Sequence, residues 1–232
     1  MSRSSAQPDL KSLGELIRDL HTCEIATASF ESPLLRLEFV LEFVRDCISS
    51  DLAIDYVDYD LTFSSLLHNI SPPETFLQKI HVAQPDESSP ERSLISALTS
   101  LEKREGFLVL DSLNMMQNLL ALKSPTPDLA IANHRSSILV SLSQQIARER
   151  LRTVLVLSLE KLRPRRTGSE SIVWEKETVG GRMMKLKSDI ILLVKRSIPE
   201  ARGLAKAQSL AREMVASSLE GGEQYSIVPR DW

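Results

Sequence analysis

CEIATASFESPLLRLEFVLEFVRDCISSDLAIDYVDYD (Cys23–Asp60) is the stretch whose reading decides the fold. Its apolar run Cys23–Ala28 is expected to be a strand. Leu34–Ile48 follows with apolar residues at helical spacing, placing Leu34, Leu37, Val40, Leu41 and Val44 along one face. Ala53–Tyr59 is a second apolar run that ends among acids. A strand, a helix and a strand in so short a span form a parallel β-α-β unit, because a parallel pair needs a crossover and a helix supplies it.

The turn between the first strand and the helix sets the chemistry. A phosphate-cradling turn in this position reads G-x-x-x-x-G-K-[ST], since only glycine lets backbone N–H groups wrap a phosphate closely. Here it reads Ser29-Phe30-Glu31-Ser32-Pro33, with no glycine and no lysine. Glu31 repels phosphate. Gly14 is the single glycine in the first 105 residues.

Outward from this unit, strands and helices keep alternating. Helices are expected at Leu13–Leu20, Phe63–Asn69, Glu91–Lys103, Met115–Leu122 and Ala132–Glu149. Strands are expected at Phe107–Leu110, Thr153–Ser158 and Asp189–Lys195, and Phe76–Val82 starts helical and ends extended. Glu160–Val179 is polar and long, and reads as a functional or disordered loop. Gln208–Val228 reads as a closing hairpin. The expected class is α/β, a doubly wound, mostly parallel sheet flanked by helices with a C-terminal antiparallel hairpin. Residues 1–12 read as a disordered tail and 13–232 as one domain.

The chain has 232 residues with 42% hydrophobic and 25% charged content, ordinary for a globular protein. No apolar run reaches about 18 residues, so no membrane span or membrane partner is expected. The polar N-terminus lacks an apolar signal core, and a cytoplasmic location (nuclear in a eukaryote) is expected. Cys23 and Cys47 are too isolated for a metal site or a disulfide framework, and His21, His68, His81 and His134 lack ligand spacing. The net charge of −3 is unevenly spread. Between residues 161 and 187, Lys161, Arg163, Arg165, Arg166, Lys176, Arg182, Lys185 and Lys187 face only Glu170, Glu175 and Glu177, on an otherwise acidic body. Such a patch points to a local anionic partner.

Five segments, in order, resemble the core of the RecA/RadA recombinase superfamily, with archaeal RadA and its short paralogue RadB the nearest likeness. YVDYDLTF (Tyr56–Phe63) is similar to the family's strand-end W-I-D-T-E-N-T-F. FLVLDSLNMM (Phe107–Met116) resembles its Walker B strand. HRSSILVSLSQQIARERLRTVLVLS (His134–Ser158) resembles the helix and strand that follow. TVGGRMMKLKSDIILLVKR (Thr178–Arg196) is similar to the segment after the second DNA-binding loop, and REMVASSLEGGEQYSIVPRDW to the closing hairpin. The likeness spans about residues 13–232 and includes no helical N-terminal domain.

The resemblance implies a RecA-like core whose Walker A motif is lost. Asp111 corresponds to the Walker B aspartate and Asp60 to the water-activating glutamate. The polar switch residue corresponds to Glu160 or Ser158. Asp58, Asp60 and Asp111 read either as a metal–nucleotide site or, the favoured reading, as remnants of one. No ATPase activity and no cofactor are expected. At the position of the family's DNA loop, Lys161, Arg163, Arg165, Arg166, Trp174, Lys176, Arg182 and Lys185 are expected to contact nucleic acid, the arginines through phosphate and Trp174 by stacking. Single-stranded DNA (or RNA) and a RecA-family recombinase or other RecA-like subunits are the implied partners, in a homo- or hetero-oligomer that assists recombination and repair. The alternative is a structural subunit of a ring such as the Elongator accessory subcomplex, whose RecA-like subunits lack Walker motifs and bind transfer RNA.

Overall fold

The computed structural model describes residues 10–11, 13–70, 74–86, 88–123, 128–167, 171–178, 181–195 and 225–227. In chain order the elements are β1 (Leu10–Lys11), α1 (Leu13–His21), β2 (Ile25–Phe30), α2 (Pro33–Ser49), β3 (Ala53–Asp58), α3 (Thr62–Ile70), α4 (Glu74–Leu77), β4 (Ile80–Ala83), α5 (Pro90–Thr99), β5 (Gly106–Asp111), α6 (Leu113–Leu122), α7 (Leu129–Glu149), β6 (Arg152–Thr167), β7 (Ser171–Thr178), α8 (Gly181–Lys187), β8 (Ile190–Lys195) and β9 (Tyr225–Ile227).

Six strands pair in parallel in the order β8-β2-β6-β5-β3-β4. This is the doubly wound α/β sheet expected from the sequence. Of the expected C-terminal hairpin, only β9 is described. It runs antiparallel to β8 and to β1, so Leu10 and Lys11, read in sequence as part of a tail, are sheet residues. Residues 208–224 lie outside the described residues.

Alternation along the buried strands splits the core in two. Ala26, Ala28 and Phe30 of β2, Ile54 and Tyr56 of β3, and Phe107 and Val109 of β5 pack with α1, α2 and α3. Ile25, Val57, Leu108, Leu110, Val154 and Val156 pack on the other face with α5, α6 and α7. Every residue of β2, β3 and β5 is buried, which is why these segments read as continuous apolar runs rather than alternating ones. An aromatic chain ties α2 to the sheet. Phe30 lies 5.2 Å from Phe39, Phe39 lies 5.9 Å from Phe43, and Phe43 lies 4.9 Å from Phe107. Val40, Leu41 and Val44 of the expected α2 face are buried in the core, and the contact face is wider than expected. Leu34 and Leu37 are half-buried, while Leu35, Phe39 and Phe43 enter the core.

β5 begins at a position that only glycine fills. Gly106 has φ of +153°, and a Cβ there would collide with the Ala53 carbonyl of the neighbouring strand.

Two further segments differ from the sequence reading. α5 stops at Thr99, short of Lys103. Glu160–Val179 is mostly a two-stranded ribbon instead of a loop. β6 pairs with β2 as far as Leu159, then continues and pairs antiparallel with β7 from Glu160 to Thr167. Pro164 is tolerated because a two-stranded ribbon leaves half its backbone N–H groups without a ladder partner.

Candidate functional site

The connection from β2 to α2 is two residues, Glu31 and Ser32. Ser32 is extended and caps the helix, its Oγ accepting from the Leu35 amide at 3.2 Å, and Pro33 occupies the first helical position. This end of α2 satisfies itself, as serine caps and first-turn prolines do.

One helical turn on, Arg36 leaves α2 towards the C-terminal ends of β3 and β5. Its side chain is 3% exposed. Nη2 lies 2.7 Å from Asp60 Oδ2 and Nη1 lies 2.9 Å from Asp111 Oδ1. Asp58 and Asp111 are register partners at the ends of their strands, and Asp60 follows two residues later. One carboxylate oxygen from each of the three lies within 4.8 Å of the others. The sequence-expected acids are thus brought together. The Tyr56 hydroxyl donates to Asp111 Oδ2. The Ser64 amide donates to Asp58 Oδ2 at 2.6 Å and the Thr62 amide to Asp60 Oδ1 at 3.2 Å.

These surroundings shift the acids in different directions. Burial, reinforced by the charges of Asp60 and Asp58, pushes the Asp111 carboxyl up to about 7 against the pull of Arg36. Burial also raises Asp58, against the Ser64 bonds. Burial pushes Asp60 up as well, but Arg36 and Thr62 outweigh it and hold Asp60 below the usual carboxylate range. For Arg36, burial disfavours the charge and the Asp111 and Asp60 carboxylates restore it, leaving it raised overall.

Arg36 and Tyr56 are the members of this cluster that sequence reasoning missed. The sequence reading set Arg36 within the Leu34–Ile48 helix and Tyr56 within the Ala53–Tyr59 strand, and gave neither a role at the site. Ser158, offered in sequence as a switch residue, is wholly buried in β6 opposite Ser29 of β2. Neither hydroxyl has a hydrogen-bond partner. Glu160, the other switch candidate, opens the ribbon opposite Thr178.

The basic segment lies elsewhere. Lys161 is exposed. By register, Lys161 stands opposite Glu177, Arg163 opposite Glu175, Leu162 opposite Lys176, Pro164 opposite Trp174, Arg165 opposite Val173 and Arg166 opposite Ile172. The side chains of residues 162–182, which include Arg163, Arg165, Arg166, Trp174, Lys176 and Arg182, lie outside the described residues. Lys185 of α8 is exposed, and Lys187 reaches the Ser141 hydroxyl of α7.

No protein-family model matches the chain, and no curated protein matches it. Among solved structures it is similar to an ATPase domain, at 10% identity over 74% of this chain and 69% of that one, with a TM-score of 0.46. That overlap carries nothing about chemistry or partners. Among the described residues, no helix is long and apolar enough to cross a membrane.

Proposed function

We propose that this chain is a RecA-like protein without ATP chemistry that binds single-stranded nucleic acid, DNA foremost, through the β6–β7 ribbon, and assists a RecA-family recombinase in recombination and repair. The observation that carries the first half is the two-residue, self-capped β2–α2 connection, which leaves no backbone to cradle a phosphate. ATP with magnesium should give no heat of binding. Micromolar affinity with turnover that disappears in Asp111→Asn would overturn this half.

The second half draws on the basic run of β6, refined by register. Opposite charges directly across a ladder offset one another. Lys161 and Arg163 face glutamates, whereas Arg165 and Arg166 face Val173 and Ile172. The phosphate contacts therefore fall mainly on Arg165 and Arg166. Each lost contact lowers the slope of log affinity against log salt by about 0.7 for single strands. The pair Arg165→Ala/Arg166→Ala should flatten the slope by about 1.4 on that basis, and Arg163→Ala by much less. Trp174→Ala should cost about 1–3 kcal/mol with the slope unchanged if its ring stacks on a base. Parent-like binding of the arginine pair at every salt concentration removes the ribbon as the site.

A structural ring subunit is the second reading. β4 ends the parallel sheet and, among the described residues, pairs only with β3. Beside it a groove of about 600 Å³ runs between His81, Ala83 and Gln84 and the α5 residues Arg92, Ser93 and Ser96. An open strand edge favours assembly with another chain. Co-purification of a stoichiometric ring that survives loss of nucleic-acid binding in the ribbon variant selects this reading.

A further inference from the structure

Three carboxylates converging at strand ends form an all-oxygen set of the kind that suits a hard divalent cation, and the RecA resemblance implies magnesium with nucleotide at this place. The oxygens of this cluster are largely committed already. Asp60 Oδ2 and Asp111 Oδ1 are held by Arg36 at 2.7 and 2.9 Å. Asp111 Oδ2 accepts from Tyr56, Asp60 Oδ1 from the Thr62 amide and Asp58 Oδ2 from the Ser64 amide. That leaves Asp58 Oδ1 and, in hydrogen-bond geometry, Asp111 Oδ1, which Arg36 Nη1 meets as an ion contact; both oxygens are buried without a hydrogen-bond partner. The residues present do not fit a bound divalent ion with Arg36 in place.

We propose that Arg36 is the resident cation of this cluster, covalently supplied by α2, and that it closes the acids of β3 and β5 to divalent metal. Two features support a fixed role over a chance contact. The guanidinium is almost fully buried and spans two carboxylates, one at the end of β5 and one just past β3. Its helix starts at a capped, two-residue turn that sets where the Arg36 backbone sits. A buried guanidinium serves two carboxylates well because its planar fork offers several donors at once. The inference rests on the absence of ATP chemistry proposed above and is independent of the nucleic-acid half. The two fail separately: a parent that takes up metal but no ATP sinks this inference alone.

The test uses the full chain with terbium as probe, read by luminescence sensitised through Tyr56, and with manganese as competitor. The parent should show no saturable signal at millimolar terbium. Arg36→Ala should show a saturable signal with apparent affinity raised at least about tenfold, as expected when the two carboxylates that Arg36 holds are freed beside Asp58 for a hard cation. Adding Asp60→Asn should abolish it. Manganese should raise the melting temperature of Arg36→Ala and leave that of the parent unchanged, because a ligand stabilises only the state that binds it. If Arg36→Ala is unfolded in metal-free buffer, recovery of its circular dichroism on refolding with manganese supports the inference, and failure to recover overturns it. Saturable, Asp60-dependent terbium binding by the parent, or a folded Arg36→Ala that binds no better, also overturns it.

Discussion

Two arginines are buried against aspartates of one sheet, at opposite ends and on opposite faces, and their arrangements differ. Arg152 opens β6 and meets Asp55 of β3 with Nε and Nη2 both 2.9 Å from Oδ2, while a third nitrogen donates to the Arg104 carbonyl. That pair is one cation to one anion, with His81 Nδ1 3.7 Å from the other oxygen of Asp55. Arg36 meets two acids, Asp60 and Asp111, in a cluster of three. A matched pair needs nothing but itself. In the cluster, burial first and then the Asp60 and Asp58 charges raise the Asp111 carboxyl against Arg36, whereas Asp55 is raised by burial with its neighbouring cations all pulling it down. The balanced pair pins β6 to β3, while the cluster leaves like charges facing one another.

The comparison is broken most severely by removing each arginine alone. Arg36→Ala and Arg152→Ala should each cost about 3–5 kcal/mol, because each leaves buried carboxylate uncompensated. Urea melts of both check this. Removing both partners of the balanced pair, Arg152→Met with Asp55→Leu, should recover most of that loss, since apolar replacement of a buried pair is often neutral. If the double variant is as unstable as the single one, Asp55–Arg152 is not a self-contained pin.

The pH dependence sharpens the contrast. The folded Asp111 carboxyl stands at about 7 against an ordinary 3.8, so the folded chain binds that proton more tightly than the unfolded chain. Its contribution is therefore fully present below the ordinary carboxylate range and is lost as pH rises to about 7. Asp111→Asn should remove its own share of this slope, on the order of 2–4 kcal/mol across the interval by linkage, and leave the same-sign shares of Asp58 and Asp55, which burial also raises. Asp60, shifted the opposite way, acts in a separate window, its contribution fading only as pH falls below the ordinary range. A parent whose stability rises between those pH values would contradict the imbalance.

The smallest expected effect lies at the turn. Ser32→Ala should cost about 1 kcal/mol in stability, the usual loss of a cap, and confer no ATP binding. Calorimetry alongside a urea melt separates the two.

The strands were legible because burial on both faces writes an unbroken apolar run, as in FLVL before Asp111. The acids were legible because they follow such runs directly. Arg36 was not, since nothing local distinguishes an arginine one turn into an amphipathic helix. Its meaning depends on residues 60 and 111, which only the crossovers bring alongside. The ribbon was misread for the opposite reason. A two-stranded antiparallel arm encloses no core, so its sequence lacks the alternation that marks a half-buried strand. The register that sets Lys161 opposite Glu177 and Arg163 opposite Glu175 is its trace in the sequence, visible once the pairing of the strands is known.

The brevity of the Glu31-Ser32 link has an evolutionary consequence. A phosphate-wrapping turn places about six residues, bounded by glycines, ahead of its lysine. Side-chain exchange can change what this link says but not how long it is. In this geometry a phosphate-wrapping turn would require an insertion in register with both β2 and α2, an event far rarer than point mutation. The short link therefore acts as a ratchet: while it is fixed, selection can adjust the acids, the arginine and the ribbon, and phosphate wrapping stays out of reach of single steps.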